Sequence, residues 1–318
     1  MSPSTTSILL LGAGELGKAF LPHLTKLPNT HITIGVRSPA KYSDLISPNN
    51  LSLIPIDLAS SPSKDLADTF SNYDILISCT GFGADPSSVL KLANEALLAG
   101  QIRHVRGNSK LWFFPWQWGV DYDVTGDGDG LMPLFGAQRD VRNLLREKAQ
   151  ESNVCWTVVS TGIFMSFLFE PFWGMVDRSQ EGGKGEEGEV VVRCLQDWTH
   201  RVTVTDVHDI GRVLARILAP DSTVEATNRV VYVAGNTVSY AQLADIIERV
   251  SGKQVKRELW SMEYLKSELA ADPDDGIKKY RLVFARDGVW WDMNKTVNMT
   301  MGMEMTNVET YVRGLFSG

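Results

Sequence analysis

The sequence predicts an α/β fold, in which a Rossmann-type, doubly wound parallel sheet is followed by a smaller C-terminal lobe. Three observations support this fold. The apolar run Ile8–Leu11 leads into a glycine-rich turn, Gly12-Ala13-Gly14-Glu15-Leu16-Gly17. Short apolar runs then alternate with amphipathic stretches up to about residue 160, as strands alternate with crossover helices in a parallel sheet. After Thr161 this alternation ends, which indicates a second lobe.

The elements of the first lobe follow in order along the chain. The expected strands are Ile8–Leu11, His31–Val36, Leu51–Ile56, Ile75–Cys79, Leu111–Phe114 and Cys155–Ser160. The expected helices between them are Leu16–Lys26, Pro86–Ala99 and Phe135–Glu151. Right-handed crossovers would bring the carboxyl ends of the strands to one edge of the sheet, where a ligand is expected.

The glycine-rich turn predicts that this ligand carries phosphates. Gly12 would allow a tight turn out of the strand, Gly14 would let the backbone approach a pyrophosphate, and Gly17 would let the helix pack close to the strand. The backbone N–H groups of the helix start, at Glu15 and Leu16, would then face the phosphates.

The residues after the second strand indicate which dinucleotide is bound. Proteins that bind NAD place an acid there, but this chain has Arg37 followed by Lys41. A cation can pair with a 2′-phosphate, so NADP(H) is the predicted cofactor. Asp57, after the third strand, would border the adenine or be an ordinary acid of a surface loop. The residues that end the fourth strand would pass under the pyrophosphate and the nicotinamide ribose: Thr80, Gly81, Phe82 and Gly83.

The same pattern predicts two domains. Residues 1–160 would form the NADP-binding domain, and residues 161–318 would form the substrate-binding lobe. One further strand and helix, at about 201–218, are expected to return to the first domain.

Composition excludes several classes of protein. The 318 residues carry a net charge of −7 without a dense run of Lys and Arg, so no nucleic-acid partner is expected. Cys79, Cys155 and Cys194 form no CxxC pair, which predicts reduced thiols, a cytoplasmic location and no zinc site. The most apolar stretch, residues 154–176, is interrupted by polar residues, so no membrane span is expected. The sequence leaves open whether the chain forms a homodimer.

Three segments resemble one protein family. They are Gly12–Gly17 with Gly35-Val36-Arg37, the run Phe114–Gly119, which is similar to an F-x-P-S-E-F-G segment, and Val202–Gly211, which is similar to a late strand with a D-[IV]-G helix start. Over roughly residues 7–270 the chain resembles the isoflavone-reductase-like and NmrA-like branch of the atypical short-chain dehydrogenases. The resemblance implies either NADPH-dependent reduction of aromatic natural products, with Pro115 beside the nicotinamide, or dinucleotide sensing without turnover.

The chain departs from this family where a reductase handles protons. The resemblance implies a lysine in a K-x-x-[IV]-R helix, and Gln138 takes its place in the run Gln138–Arg142. An amide can hydrogen-bond or orient a substrate, but it cannot relay a proton as an ammonium does. Trp116 and Gln117 replace the serine and glutamate of the P-S-E-F-G segment. Hydride transfer would therefore use another acid, such as one from the turn Asp121-Tyr122-Asp123, which could also be only a solvated turn.

Aromatic residues predict the substrate. The loops after strands four to six and the second lobe would form a pocket for a flat, mostly apolar ligand. Its candidate residues are Trp116, Trp118, Phe164, Phe167, Glu170, Phe172 and Trp173. Several of these rings could instead fill the core, and Glu170 could point to solvent. No metal site is expected, because Asp121-x-Asp123 begins like a calcium loop that ends on Met132 instead of a carboxylate.

Together these features favour a tailoring enzyme that uses NADP(H) on a small aromatic or indole-like secondary metabolite, most simply as a reductase. Two alternatives stay open. The enzyme could catalyse a redox-neutral condensation or cyclisation with NADP as a structural ligand, or the chain could be a dinucleotide-sensing regulator without catalysis.

Overall fold

The computed structural model describes residues 5–46, 50–81, 85–180 and 188–317. Its strands are β1 (Thr6–Leu11), β2 (Thr30–Val36), β3 (Leu51–Pro55), β4 (Ile75–Ser78), β5 (Leu111–Phe114), β6 (Val154–Ser160), β7 (Ile163–Phe164), β8 (Val176–Asp177), β9 (Glu189–Leu195), β10 (Arg201–Thr205), β11 (Arg229–Tyr232), β12 (Asn236–Ser239) and β13 (Gln254–Trp260).

The α-helices are α1 (Glu15–Leu24), α2 (Ser63–Phe70), α3 (Ser87–Val105), α4 (Tyr122–Thr125), α5 (Pro133–Lys148), α6 (Val207–Leu218), α7 (Tyr240–Ser251), α8 (Met262–Ala271), α9 (Gly276–Phe284), α10 (Val297–Thr300) and α11 (Val308–Phe316). Three 3₁₀ helices cover Pro39–Ile46, Met165–Phe169 and Met293–Lys295. Among the described residues, no helix is both long and apolar enough to cross a membrane.

The chain folds into two compact units. The first unit contains the chain up to Trp118, Gly136–Val159 and Ile210–Val231. The second contains Gly119–Phe135, Ser160–Asp209 and the chain from Tyr232 onward. The structure differs from the sequence-based boundaries at 119–135, which belongs to the second unit, and at β10. Strand β10 does not join the large sheet, because β12 and β7 occupy its two edges within the second unit.

The first unit is built on a seven-stranded sheet in the order β11-β6-β5-β4-β1-β2-β3. All pairings from β3 through β6 are parallel. Residues Ile8–Leu11 of β1 are fully buried, as expected for a strand covered by helices on both faces. The strand order reverses between β1 and β4, so the chain leaves these neighbouring strands in opposite directions. The predicted Rossmann-type doubly wound fold is confirmed.

Helix α6 packs close to α1 because of a glycine. A Cβ on Gly211 would lie 2.9 Å from the carbonyl oxygen of Ala19 and 3.1 Å from the Cα of Phe20. Any larger residue would push the two helices apart. The glycine of the D-[IV]-G segment therefore has a packing role in the first unit.

The second unit contains two three-stranded sheets, in the orders β12-β10-β7 and β13-β9-β8. One apolar core fills this unit, and its large buried members include Met165, Trp173, Tyr240 and Phe284. The buried carboxylate of Asp209 accepts a hydrogen bond of 2.5 Å from the backbone N–H of Thr306. This contact fixes the segment that leads into α11.

Candidate functional site

The turn between β1 and α1 needs glycine at two positions for different reasons. Gly12 has a φ of +95°, and a Cβ there would lie 2.9 Å from Cγ2 of Thr80. Gly17 sits within α1, where a Cβ would lie only 2.2 Å from the carbonyl oxygen of Gly12. The first glycine thus allows the bend, and the second lets the helix begin directly against it.

Gly14 faces open space at the start of α1. It is exposed, and no atom of the described chain lies within 4 Å of a Cβ built on it. Gly14 is the N-cap residue, and no side chain caps the helix. The N–H groups of the first turn have no carbonyl partner within the helix, and the helix dipole adds partial positive charge there. Backbone donors, a positive potential and an open approach together fit a phosphate group.

Two cations follow the end of strand β2, which neighbours β1 in the sheet. Arg37 and Lys41 are exposed, and the Lys41 backbone N–H donates to the carbonyl of Ser38 at 3.1 Å. The pKa of Asp57 is lowered, first by the hydrogen bond from the Ser60 side chain and then by backbone N–H groups. The charge of Arg37 also lowers the pKa of Asp57, so these two side chains interact at the ends of β2 and β3.

A third cation was missed by the sequence reasoning. The ammonium of Lys18, in the first turn of α1, lies 5.9 Å from the ring centre of Tyr42. Tyr42 belongs to the 3₁₀ helix that also carries Lys41. The signal was available in the sequence, because Lys18 directly follows the last glycine of the motif.

The end of β4 lies against the glycine turn between β1 and α1, since a Cβ on Gly12 would approach Thr80. The Thr80 hydroxyl lies 3.3 Å from that of Ser78, and Gly81 is exposed. A Cβ on Gly81 would lie 3.9 Å from Cζ2 of Trp116. Pro115 is buried. Phe82 lies outside the described residues, so its predicted role stays a prediction.

Gln138 is part of a buried network of amides. It is 1% exposed, and its side-chain Nε2 donates to the Trp116 carbonyl at 2.7 Å. The side chain of Gln117 donates to the Gln138 carbonyl at 2.8 Å and accepts a 2.8 Å hydrogen bond from the buried Arg142. These contacts tie the segment after β5 to α5 and hold the Gln138 amide in place.

The two tryptophans after β5 have different surroundings. Trp116 is partly exposed, whereas Trp118 is buried. The Trp118 indole donates to the Ser78 carbonyl at 2.8 Å, and its ring packs edge-on against Phe20 at 4.9 Å. The structure therefore places Trp118 in the core of the first unit, where it supports the ends of β4 and β5.

The acidic turn after β5 lies in the second unit. Asp121 caps α4 by accepting from the Asp123 N–H, and its other oxygen accepts a 2.7 Å hydrogen bond from the Tyr232 hydroxyl. Tyr122 is buried, with its ring 5.0 Å from that of Phe135, and Asp123 is exposed. Their proposed acid–base role stays a prediction.

Three of the remaining predicted aromatic residues form one cluster in the second unit. The ring of Phe167 lies 5.1 Å from both Phe172 and Trp173. Trp173 is fully buried, whereas Phe172 is 49% exposed. Phe164 is partly exposed and Glu170 is exposed. Within the described residues, no group of His, Cys, Asp and Glu could hold a metal ion.

The fold and the glycine turn define a Rossmann-type protein whose first helix has an open, uncapped start. The NmrA-like family model matches residues 4–311, so the chain belongs to the NmrA-like family. An NmrA-like family domain-containing oxidoreductase of Gibberella moniliformis is 37% identical over 328 residues, which cover 96% of this chain and 97% of the relative. The family resemblance inferred from the sequence is confirmed.

Two solved structures share the fold. Leucoanthocyanidin reductase from Vitis vinifera, in a complex with NADPH, has a TM-score of 0.75 at 16% identity and covers 98% of this chain and 100% of its own. AtPrR2 with NADP⁺ and (+)-pinoresinol has a TM-score of 0.70 at 17% identity and covers 98% of this chain and 99% of its own. These likenesses confirm the architecture over nearly the whole chain.

Proposed function

We propose that the protein is an NADP(H)-dependent oxidoreductase that acts on a small aromatic or indole-like secondary metabolite. The observation that carries the proposal is the open, uncapped start of α1 at Gly14, with Arg37 and Lys41 following the neighbouring strand β2. The relative in Gibberella moniliformis is named an oxidoreductase, and both structural neighbours are complexes with NADPH or NADP⁺.

Different residues of the first unit would bind different parts of the dinucleotide. The backbone from Gly12 to Gly17 would hold the pyrophosphate, and Arg37 with Lys41 would pair with the 2′-phosphate. Asp57 would border the adenine, while Thr80, Gly81, Phe82 and Pro115 would lie by the nicotinamide. When bound, the cofactor supplies the capacity to accept or donate a hydride. The protein's task is to bind, orient and exclude water.

Aromatic side chains with exposed ring surface support the proposal of an aromatic substrate. Trp116 and Phe172 offer exposed ring surface, and Phe164 and Phe167 are partly exposed. Trp173, in the core of the second unit, would hold the ring of Phe167 in place. A structural neighbour is bound to (+)-pinoresinol, which is consistent with an aromatic ligand.

The source of the proton separates two reactions. For reduction, a proton would come from water or from the turn Asp121–Asp123, because the Gln138 amide has no proton to give at neutral pH. The buried network around Gln138 favours a second candidate, in which the dinucleotide stays a structural ligand for a redox-neutral condensation or cyclisation. In that candidate the amide orients the segment after β5 and no group of the network changes its protonation state.

The cofactor assignment is tested by Arg37→Ala with isothermal titration calorimetry. NADPH binding should weaken by about 1.5–3 kcal/mol, while NADH binding should change little, because one charge-assisted pair with the 2′-phosphate is lost. Arg216→Ala is the matched control, since Arg216 is a partly exposed arginine of α6 that pairs with Asp221. Equal losses for both dinucleotides would show that the 2′-phosphate does not lie at Arg37.

The reaction type is tested with the purified protein, NADPH and a panel of aromatic substrates. If the protein is a reductase, the absorbance of NADPH should fall as product forms. Product formed at constant NADPH absorbance would instead establish the redox-neutral candidate.

A further inference from the structure

The second unit contains a cavity that the proposed dinucleotide site does not use. It has a volume of about 400 Å³ and opens to solvent. Tyr232, Trp290 and Trp291 contribute aromatic walls, while Arg201, Asp287 and Lys295 bring charges of both signs. Sites for small molecules typically have volumes of about 300–1,000 Å³ with a few polar groups among apolar ones. The cavity has the size of a small-molecule site.

The aromatic walls are fixed by contacts behind them. The Tyr232 ring packs edge-on against Trp291 at 5.1 Å, and its hydroxyl donates to Asp121 at 2.7 Å. The carbonyl of Trp291 accepts a 2.8 Å hydrogen bond from the Thr237 hydroxyl. Trp290 is 36% exposed, so its indole offers open surface. A flat ring could pack on the part of the Trp290 indole that Arg201 leaves exposed.

The donors around the cavity suit an anionic group. The guanidinium of Arg201 lies 5.1 Å from the Trp290 ring, and the ammonium of Lys295 lies 5.9 Å from the Tyr232 ring. A carboxylate of a ligand could pair with these two cations.

One carboxylate of the cavity suits a cationic group. Asp121 already accepts from Tyr232, and Asp292 accepts a 2.9 Å hydrogen bond from the Asn294 N–H. Asp287 is exposed and makes no hydrogen bond or ion pair with the residues that the structure describes. An ammonium group could therefore pair with Asp287 without displacing an existing contact.

We propose that this cavity binds a free aromatic α-amino acid. Its carboxylate would pair with Arg201 and Lys295, its ammonium with Asp287, and its ring would pack on Trp290 and Tyr232. The inference does not rest on the dinucleotide, because all of these residues belong to the second unit.

The test is calorimetry on the full chain without dinucleotide, using three probes that share an indole ring. L-Tryptophan carries both charges, tryptamine lacks the carboxylate, and 3-indolepropionic acid lacks the ammonium. L-Tryptophan should bind at least about tenfold more tightly than either of the others, because each lacks one charge-assisted pair.

Two charge-removing variants assign the two ends of the ligand. Arg201→Met should weaken L-tryptophan and 3-indolepropionic acid while sparing tryptamine, and Asp287→Asn should weaken L-tryptophan and tryptamine while sparing the acid. Arg313→Met is the matched control, because its side chain is 62% exposed and lies outside the cavity. Circular dichroism checks that each variant is folded, which is expected since the substituted side chains are exposed.

Two results would overturn the proposal: wild-type protein that does not bind L-tryptophan, or tryptamine that binds as tightly as L-tryptophan. NADPH binding is titrated separately on the same samples. Its failure would refute the dinucleotide site alone, whereas failure with the indoles would refute the cavity alone.

Discussion

Replacing Gly14 with alanine should weaken dinucleotide binding without destabilising the fold. Its φ of −75° and ψ of −163° suit alanine, and a Cβ would meet no described atom within 4 Å. Alanine restricts the unfolded chain but is a poorer N-cap than glycine, so these effects offset and the free energy of unfolding should change by no more than about 0.5 kcal/mol. The new methyl group would occupy the space proposed for the pyrophosphate. Losing even one charge-assisted hydrogen bond there costs about 1.5–3 kcal/mol of binding free energy.

Gly17→Ala should behave differently, although it lies three residues away. Its Cβ would fall 2.2 Å from the carbonyl oxygen and 3.1 Å from the carbonyl carbon of Gly12. Both atoms belong to the backbone and cannot rotate away, so α1 must shift from β1. Overpacking of this kind costs about 1–3 kcal/mol of stability. Stability and dinucleotide binding should therefore fall together.

The two variants are compared by urea denaturation and by calorimetric titration with NADPH. Gly276→Ala is the matched control, because Gly276 also begins a helix with no described atom within 4 Å of its Cβ, but in the second unit. It should keep the wild-type affinity. A folded Gly14→Ala protein that binds NADPH as tightly as the wild type would show that the phosphates do not approach Gly14.

Two further predictions concern the stability of the first unit. Arg103→Met should lower the free energy of unfolding by about 3 kcal/mol in urea titrations, because Arg103 is 3% exposed and pairs with Asp74. Arg106, a neighbouring arginine whose side chain is 44% exposed, is the control, and Arg106→Met should lower the free energy of unfolding by less than about 1 kcal/mol. Burial raises the pKa of Asp74, but hydrogen bonds from Ser7 and Arg103 outweigh it and lower that pKa overall. The stabilisation is therefore present above the unfolded-state pKa and is lost as pH falls through the folded-state value. Asp74→Asn should flatten this loss of stability below about pH 4, as measured by urea titrations across pH. An unchanged pH profile would show that the Asp74 contacts do not stabilise the fold.

Local sequence predicted the sheet and the glycine turn because short-range rules determine both. The bend at Gly12 and the contact of Gly17 depend on residues only a few positions apart. The assignment of residues 119–135 to the second unit depends on packing between distant segments, which the strand–helix pattern does not encode. Likewise, an apolar ring suits a core as well as a pocket, so the sequence could not show that Trp118 and Trp173 are buried.

The sequence indicated that Gln117 and Gln138 are unusual, but it could not show that both belong to one buried amide network. The resemblance implies a lysine at the position of Gln138 and a glutamate at that of Gln117, so this chain would have lost one charge of each sign together. Both amides are 1% exposed, and Gln117 contacts the guanidinium of Arg142. Lysine alone at 138 would therefore add a second cation to a buried site that already holds one, at a cost of several kcal/mol.

A double-mutant cycle tests whether the two positions act together. Gln138→Lys should strongly lower the free energy of unfolding, and adding Gln117→Glu should recover more than about 1 kcal/mol of it through an ion pair between the two new side chains. Additive effects would show that the two positions are independent. If the folded double variant consumes NADPH faster than the wild type with the same substrate, a proton donor limits reduction in the natural chain. If the wild type forms product at constant NADPH and the double variant does not, the paired amides belong to the redox-neutral reaction.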